Sequence, residues 1–545
     1  MSNGSIGLVQ TETRALDLPP SGFKLERGGV LPAVSVAFER YGELAPDRGN
    51  AILICHALSG DAHAAGYHAD EDRKPGWWDN MIGPGQGIDT GRFHVIATNI
   101  LGGCKGTTGP SSTNPATGRP FGSDFPEITI GDMVAVQKLL LETLGIDRLH
   151  AVIGGSTGGL QVLEWAVRYP GAVANAICIA SAESLSAQAL AFDIVARKII
   201  MADPSWRGGH YYGAEIPEKG LSLARMIGHI TYLSRESMDR KFGRERREGM
   251  DAGPFGTDFQ IESYLNHQGL SFVDRFDANS FLYITQAMSG FSLAERGPSI
   301  EAVLAGIRAR VMVLAVSSDW LYPAEQSRAL AAAFLRAGRA VTYAELDAPY
   351  GHDSFLLPSD DLTRLISSFL TCHGPSAAAE PAVTREADVI AGMIPIGSRV
   401  LDLGCGDGAL LARLARRDGV TGHGIDIAHA GIVACNRRGV PVFQADLDQG
   451  LGLIPDGAYD YAVLSATLLE TRKPHLVLNE MLRVARAGIV TFPNFAHWRH
   501  RARLSLGGRL PMSGGLPHRW YDTPNLRFPD PGGKWVGAFS HQARV

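Results

Sequence analysis

A serine lies between glycines in the segment AVIGGSTGGLQVLEWA, at residues 151–166. Ser156 is the centre of a G-x-S-x-G pattern that ends an apolar, strand-like run and opens a helix-like one. In a strand–turn–helix of this kind the turn exposes the serine hydroxyl as a nucleophile, and the glycines tolerate the strained backbone. The pattern therefore predicts that Ser156 attacks an acyl group.

A serine hydroxyl becomes nucleophilic when a histidine, held by a carboxylate, takes its proton. Asp319 follows the apolar run VMVLAVSS, and His352 lies in a loop after the next apolar run. Serine, then aspartate, then histidine is the chain order of α/β-hydrolase triads. The spacing therefore predicts a triad of these three residues and acyl chemistry, either hydrolysis or transfer.

The oxyanion formed during acyl transfer needs two backbone N–H donors. Thr157, directly after the nucleophile, is predicted to supply one of them. Leu58, after an early apolar run, is predicted to supply the other, although an ordinary strand-to-helix loop is the alternative for its segment.

Strand-like runs alternate with helix-like patterns through the first two thirds of the chain, which predicts a parallel α/β sheet. Between about 185 and 296 this alternation gives way to helical patterns, and we expect an inserted helical lid. A small-residue, proline-containing stretch at 372–385 predicts a linker. The predicted domains are therefore 1–371 and 386–545.

The amino-acid composition limits the classes of partner that the protein is expected to bind. The 545 residues are 45% hydrophobic and carry a net charge of −5, which gives no reason to expect nucleic acid or a membrane surface. No secretion signal or membrane span is evident. Six scattered cysteines without C-x-x-C pairs indicate neither a disulfide framework nor a zinc site, so we expect a cytoplasmic protein without a metal.

Several longer segments resemble the homoserine O-acetyltransferase family of methionine biosynthesis, over about residues 10–370. They are CHALSGDAHAAG, GWWDNMIGPGQGIDT, NILGGCKGTTGPSS, GGSTGGLQVLEWA, GLSLARMIGHITYLS, SSDWLYP and YGHDSFLLP. The resemblance implies an α/β-hydrolase fold and a ping-pong reaction, in which acetyl-CoA acylates Ser156 and the L-homoserine hydroxyl then takes the acetyl group. It also implies a homodimer without a tightly bound cofactor.

The same resemblance assigns groups to both ends of homoserine. Arg225 matches the arginine that holds the substrate carboxylate, a role suited to a planar, bidentate guanidinium. Asp353 matches the acidic residue that meets the substrate ammonium. Tyr232 and Ser59 are further expected substrate contacts.

The acyl donor is less directly specified. Relatives expected to use succinyl-CoA carry an arginine after the tryptophan of SSDW, where this chain has Leu321. An apolar residue cannot neutralise a succinyl carboxylate, so acetyl-CoA is the predicted donor. A homoserine O-succinyltransferase and a plain serine esterase are the alternatives.

A second glycine-rich turn follows a strand-like run in VLDLGCGDG, at residues 400–408. Small residues let a ligand approach the backbone, and an acidic residue after the next strand can hold ribose hydroxyls. The pattern resembles the Rossmann-like fold of class I S-adenosylmethionine-dependent methyltransferases. The predicted cofactor-binding residues are Asp402, Gly404, Gly406, Asp426 and Asp446, the last of them near adenine.

Residues 385–527 are similar to the methionine-biosynthesis protein MetW. A bound S-adenosylmethionine would fit either methyl transfer or, as we favour, an accessory or regulatory role without methylation. A non-catalytic sensor of methionine status is the alternative from another class of function. After YDTPNLRF the chain ends in PDPGGKWVGAFSHQARV, where we expect neither strand nor helix and a domain cut short.

Overall fold

The computed structural model describes residues 5–246, 259–372, 385–417, 419–465, 467–491 and 537–540. The chain forms two compact units. The first contains residues 1–339 and 345–370, and the second contains residues 371–545 together with the short segment 340–344. Most of the predicted linker, residues 373–384, lies outside the described residues.

The first unit is built on a mainly parallel sheet. Its strands are β1 (Glu12–Ala15), β4 (Ser35–Tyr41), β5 (Ala51–Cys55), β8 (His94–Thr98), β11 (Leu149–Gly155), β12 (Val173–Ile179) and β13 (Arg310–Val316). They lie in the order β1-β4-β8-β5-β11-β12-β13. A further strand, β14 (Val341–Leu346), begins in the short segment 340–344 and ends at residues 345–346 of the first unit. All residues of β5 and β8 are buried, as is typical of parallel strands that are covered on both faces.

Neighbouring strands from β8 to β13 are parallel, as the alternating pattern predicts. The antiparallel strands β1 and β4 at one edge were not predicted. Three two-stranded ribbons complete the strands of this unit: β2 (Phe23–Lys24) with β3 (Val30–Leu31), β6 (Ile82–Gly83) with β7 (Ile88–Asp89), and β9 (Thr113–Asn114) with β10 (Arg119–Pro120).

Helices follow or separate these strands. They are α1 (Ile130–Thr143), α2 (Thr157–Arg168), α3 (Ala187–Ala202), α4 (Glu218–Tyr232), α5 (Arg235–Lys241), α6 (Gln260–Val273), α7 (Ala278–Ser289), α8 (Ile300–Ala305), α9 (Ala324–Arg336) and α10 (Asp360–Leu370). The inserted helices α3–α7 lie between β12 and β13, where the sequence predicts a lid. Ser186 and Asp277 cap two of them by accepting backbone N–H groups of the first turn.

The second unit alternates helices and strands. Its elements are α11 (Arg385–Met393), β15 (Arg399–Leu403), α12 (Ala409–Leu414), β16 (Thr421–Asp426), α13 (His429–Arg438), β17 (Val442–Gln444), β18 (Tyr459–Ser465), α14 (Pro474–Val484), β19 (Ala485–Thr491) and β20 (Gly537–Ser540). The strands lie in the order β17-β16-β15-β18-β19-β20. All pairs are parallel except the last.

The expectation of no strand near the carboxyl end was wrong for Gly537–Ser540, since β20 pairs antiparallel with β19. Four residues carry too little periodicity to predict a strand, and pairing with a distant edge strand decides their conformation. The rest of that tail, residues 529–536 and 541–545, where we expect the domain to be cut short, lies outside the described part of the chain.

Among the described residues, no helix combines the length and apolar character that a membrane crossing requires.

The turn between β11 and α2 is packed against β5. A Cβ atom on Gly158 would lie 2.0 Å from the carbonyl oxygen of Cys55, and a Cβ on Gly154 would lie 2.5 Å from the backbone of Gly158. Both positions therefore need glycine because helix and strands approach each other closely.

We expect the variant Gly158→Ala to lower the free energy of unfolding by about 3 kcal/mol, because backbone atoms of β5 cannot give way to the added methyl group. Helix propensity alone predicts the opposite sign, a gain of about 1 kcal/mol. The matched control is Gly171→Ala, where an added Cβ has no neighbour within 4 Å. Thermal unfolding of both variants measures the difference, and equal midpoints would contradict the packing described here.

Candidate active site

Ser156 occupies the turn between β11 and α2 in a strained conformation. Its φ is 57° and its ψ is −124°, values that side-chain-bearing residues rarely adopt. Its backbone N–H donates to the carbonyl of Ile179 at 3.0 Å, and its side chain is largely buried. Strain of this kind persists only where surrounding packing enforces it, and it is typical of functional sites.

Asp319 and His352 come together from the loops after β13 and β14. The Oδ2 of Asp319 lies 2.7 Å from His352 Nδ1, and both side chains are almost fully buried. The Oδ1 of Asp319 accepts the backbone N–H groups of Leu321 and Tyr322, each at 2.9 Å. These bonds fix the carboxylate, which in turn orients the imidazole.

The charge of Asp319 also sets the protonation of His352. Burial lowers the pKa of the histidine, but the charge of Asp319 and its hydrogen bond outweigh burial, so the pKa is raised from its ordinary value. His352 Nε2 is buried and makes no hydrogen bond within the described part of the chain. This nitrogen is therefore available to take and return a proton.

A cavity adjoins the nucleophile beneath the inserted helices. Ser156 and Leu58 both line it, together with apolar side chains of α3, α4 and α7. Tyr322 also lines the cavity, and its ring stacks on His352 with centroids 5.4 Å apart. The predicted oxyanion residue Leu58 thus lines the same cavity as the nucleophile, while Thr157 is the first residue of α2.

One carboxyl group in this cavity was not predicted from the sequence. Asp193 of α3 contributes to the lining, and burial raises its pKa to about 7, although Arg197 opposes the shift. Its Oδ2 is buried without a hydrogen-bond partner among the described residues. A single aspartate on a lid helix is indistinguishable in sequence from a solvated one, so only packing reveals its position.

Arg225 projects from α4 into a buried setting. Its Nη1 donates to Ser59 Oγ at 3.2 Å, and its guanidinium lies over the rings of Phe272 and Tyr232, at 4.5 and 5.4 Å from their centroids. Its Nε is buried and has no hydrogen-bond partner among the described residues. An anion bound here would satisfy that donor.

Asp353 follows the triad histidine and lies in the field of Arg225. Burial raises the pKa of its carboxyl, and the charges of His352 and Arg225 oppose that shift. Tyr232 links these groups, since its ring lies under Arg225 and 6.1 Å from the ring of His352. The four residues predicted to bind substrate therefore form one region next to the triad.

The second unit brings its predicted residues to the carboxyl ends of β15, β16 and β17. Asp426 ends β16, and its two carboxylate oxygens each accept a backbone N–H, from Gly406 and from Ala428, at 2.8 Å. Burial, and next the charge of Asp426, raise the pKa of Asp402 to about 7. Gly404 has a positive φ of 73° and lies against Thr467, where a Cβ would clash.

Asp446 lies after β17, where its side chain accepts the backbone N–H of Asp448 at 2.9 Å. Its neighbour Ala445 donates its backbone N–H to the carbonyl of Asp426, which places Asp446 at the same sheet edge. The glycine turn and three carboxylates thus surround the strand ends where α/β folds bind ligands.

A strained serine after a parallel strand, an Asp–His pair and an adjoining cavity define a serine enzyme of the α/β-hydrolase fold. Residues 50–358 match the family model described as "alpha/beta hydrolase fold", and residues 385–530 match that of "Methionine biosynthesis protein MetW". The "Bifunctional methionine biosynthesis protein MetXA/MetW" of Rhodopirellula baltica is 44% identical over 93% of this chain and 84% of its own length. The chain belongs to this bifunctional family. Its first part belongs to the homoserine O-acetyltransferase family.

Other relatives match the first unit. A "Homoserine O-acetyltransferase" of Methanosphaerula palustris is 53% identical over 68% of this chain and 75% of its own length. The crystal structure of homoserine O-acetyltransferase from Bacillus anthracis covers 67% of this chain and 98% of its own, with a TM-score of 0.61 and 30% identity. Esterase E22 covers 66% of this chain and 100% of its own, with the same TM-score and 32% identity. These comparisons confirm the family resemblance and the α/β-hydrolase fold.

We expect Asp319→Asn to lower kcat by about 10³- to 10⁴-fold, because the imidazole loses its orienting carboxylate. It should also move the acidic limb of the pH profile to lower pH. His352 acts as a base only when neutral, and removing the charge of Asp319 lowers the pKa that sets this limb. Acyl-enzyme formation from p-nitrophenyl acetate, followed against pH, measures the shift.

The matched control for this variant is Asp347→Asn, which removes an exposed carboxylate that accepts the hydroxyl of Ser317. Its profile should match the wild type. An unchanged acidic limb in Asp319→Asn would show that Asp319 does not set the pKa of His352.

Proposed function

We propose that the first unit transfers an acetyl group from acetyl-CoA to the side-chain hydroxyl of L-homoserine, through an acetyl-serine at Ser156. One observation carries the substrate assignment: a buried arginine and an aspartate flank the triad. Arg225 suits the carboxylate of an amino acid, and Asp353 suits its ammonium. Homoserine carries both a carboxylate and an ammonium, and its side-chain hydroxyl can accept the acetyl group.

In the first half-reaction His352 Nε2 takes the proton of Ser156 as its oxygen attacks the thioester carbonyl. The backbone N–H groups of Thr157 and Leu58 stabilise the oxyanion. As the C–S bond breaks, the protonated histidine gives its proton to the coenzyme A thiolate. Asp319 holds the imidazole in the required tautomer throughout.

In the second half-reaction homoserine takes the place of coenzyme A. His352 removes the proton of the homoserine hydroxyl, which attacks the acetyl-serine, and then returns a proton to Ser156. Water competes for the same intermediate. Orientation by Arg225 and Asp353 favours homoserine, since well-placed groups reach effective molarities of about 10⁵ M or more.

The lining of the cavity next to Ser156 supports acetyl over succinyl as the transferred group. Among the described residues that line it, none is lysine or arginine, and Leu321 and Asp193 are both present. A succinyl carboxylate would be buried there without a cation, at a cost of several kcal/mol. The smaller acetyl group meets no such penalty.

A plain esterase remains the second candidate function because esterase E22 shares the fold at 32% identity. An esterase has no use for a carboxylate-binding arginine next to the nucleophile. The setting of Arg225 therefore favours the transferase.

For the second unit we propose that it binds S-adenosylmethionine and supports or regulates the acetyltransferase without methylating a substrate. Two features support binding: the strand order β17-β16-β15-β18-β19 and the glycine turn beside Asp426. In this proposal Asp426 accepts the ribose hydroxyls, Asp446 lies near adenine, and the backbone at Gly404 and Gly406 contacts the amino-acid end. We further propose that the protein is cytoplasmic and that it forms a homodimer. Sedimentation of the full chain would test the dimer.

We expect Arg225→Ala to lower kcat/KM for homoserine by about 100-fold or more, because a charge-assisted pair with the substrate is lost. Formation of the acetyl-enzyme from acetyl-CoA should change by less than about threefold. Arg225→Lys should fall between, since an ammonium keeps the charge but not the planar fork. Burst kinetics and homoserine titration separate the two half-reactions.

The matched control for Arg225 is Arg235→Ala, whose side chain is 96% exposed. It should leave both half-reactions unchanged. Equal losses in both half-reactions of Arg225→Ala would contradict the assigned role.

We expect the variant Asp426→Asn to weaken S-adenosylmethionine binding by about tenfold or more, because hydrogen bonds to a charged acceptor contribute roughly 1.5–3 kcal/mol. Isothermal titration of the full chain measures the dissociation constant. The matched control, Asp456→Asn, changes a carboxylate paired with Arg483 and should bind as the wild type does. If the wild type does not bind S-adenosylmethionine, the cofactor proposal is wrong. That result would not bear on the proposed acetyltransferase activity of the first unit.

A further inference from the structure

A second cluster of reactive side chains lies in the first unit, apart from the triad. Glu39 of β4 has a fully buried carboxylate, and two histidines of the loop after β5 point at it. His63 Nδ1 lies 3.1 Å from Glu39 Oε2, and His68 Nε2 lies 2.8 Å from Glu39 Oε1. One donor atom from each of these three residues lies within 4.8 Å of the others.

The surroundings hold this cluster together. Thr11 Oγ1 and the hydroxyl of Tyr41 approach the carboxylate at 2.8 and 2.9 Å. The rings of His63 and His68 lie with centroids 3.8 Å apart, and each imidazole contacts a different oxygen of Glu39. Within the part of the chain that the structure describes, this is the one group of three or more His, Cys, Asp or Glu side chains in such an arrangement.

Two imidazoles and a carboxylate are ligands that zinc prefers, whereas magnesium and calcium prefer oxygen alone. Around a tetrahedral zinc ion with bonds of about 2.0–2.1 Å, ligand atoms lie roughly 3.3 Å apart. The imidazole nitrogens lie 2.8 and 3.1 Å from the two different oxygens of Glu39, and one donor atom from each of the three residues lies within 4.8 Å of the others. Side-chain movements of up to about 1.5 Å would bring these atoms to the spacing around a zinc ion.

The electrostatic setting also suits a cation. The carboxylate of Glu39 is removed from solvent, where a negative charge needs compensation. The side chain of His68 is 46% exposed, which gives an ion a path from solvent to the site. A fourth position can be taken by Thr11 Oγ1 or by solvent.

We propose that Glu39, His63 and His68 bind one divalent cation of the zinc class. The bound ion links β4 to the loop that follows β5. This loop also contains Leu58 and Ser59. That loop supplies the proposed oxyanion donor and the hydroxyl that contacts Arg225. The metal is therefore structural, and it steadies one wall of the active site without contacting substrate.

The test uses the full chain, first stripped with a chelator and then titrated with Zn²⁺ or Co²⁺ alone. Elemental analysis should find about one zinc ion per chain, and Co²⁺ should give visible absorption bands typical of nitrogen and oxygen ligands. At a hundredfold excess over the dissociation constant, Zn²⁺ should raise the unfolding midpoint of the first unit by about 3 °C.

The variant His68→Gln should lose the cobalt bands and weaken binding by 100-fold or more, and its partly exposed position makes it compatible with folding. His267→Gln, a change of an exposed histidine on α6, is the matched control and should bind as the wild type does. Failure of the stripped wild type to bind either ion would overturn the proposal. Binding that is the same in His68→Gln would overturn it as well, because the ion would then lie elsewhere.

Discussion

The close approach of α2 to β5 is the constraint on which the active site depends. Contacts at Gly154 and Gly158 leave no room for a side chain, and Ser156, which lies between them in the chain, has a φ of 57°. That conformation places the serine side chain in the cavity and leaves the amide of Thr157 at the start of a helix, where its dipole favours an oxyanion. Packing between the helix and the sheet thus positions both the proposed nucleophile and one of the two proposed oxyanion donors.

Charged side chains near this turn have a hydrogen-bond partner, lie near an opposite charge, or keep a donor that a bound anion could satisfy. Asp319 is bound by two backbone N–H groups and by His352, so its charge stabilises the imidazolium that forms during each half-reaction. Arg225 retains a buried donor, and Asp353 lies in its field. In the proposed reaction a zwitterionic substrate completes this set, whereas water does not, and that difference favours transfer over hydrolysis.

The central parallel strands and the helix that contains Arg225 were predictable because long apolar runs and helical periodicity are local properties. Ser156 was predictable because its glycines mark the elbow. The antiparallel edge strands and β20 were not, since pairing with distant segments decides their conformation. Asp193 and the cluster around Glu39 were missed for a related reason: segments far apart in sequence bring their partners together.

The most direct measurement is coenzyme A release by the purified full chain with L-homoserine, with acetyl-CoA and succinyl-CoA in parallel and with homoserine omitted. Release from acetyl-CoA that requires homoserine and yields O-acetylhomoserine is the predicted result. Preference for succinyl-CoA would contradict the role given to the cavity wall at Leu321, whose described lining contains no lysine or arginine. Release that proceeds equally without homoserine would show a hydrolase and contradict the transfer reaction itself.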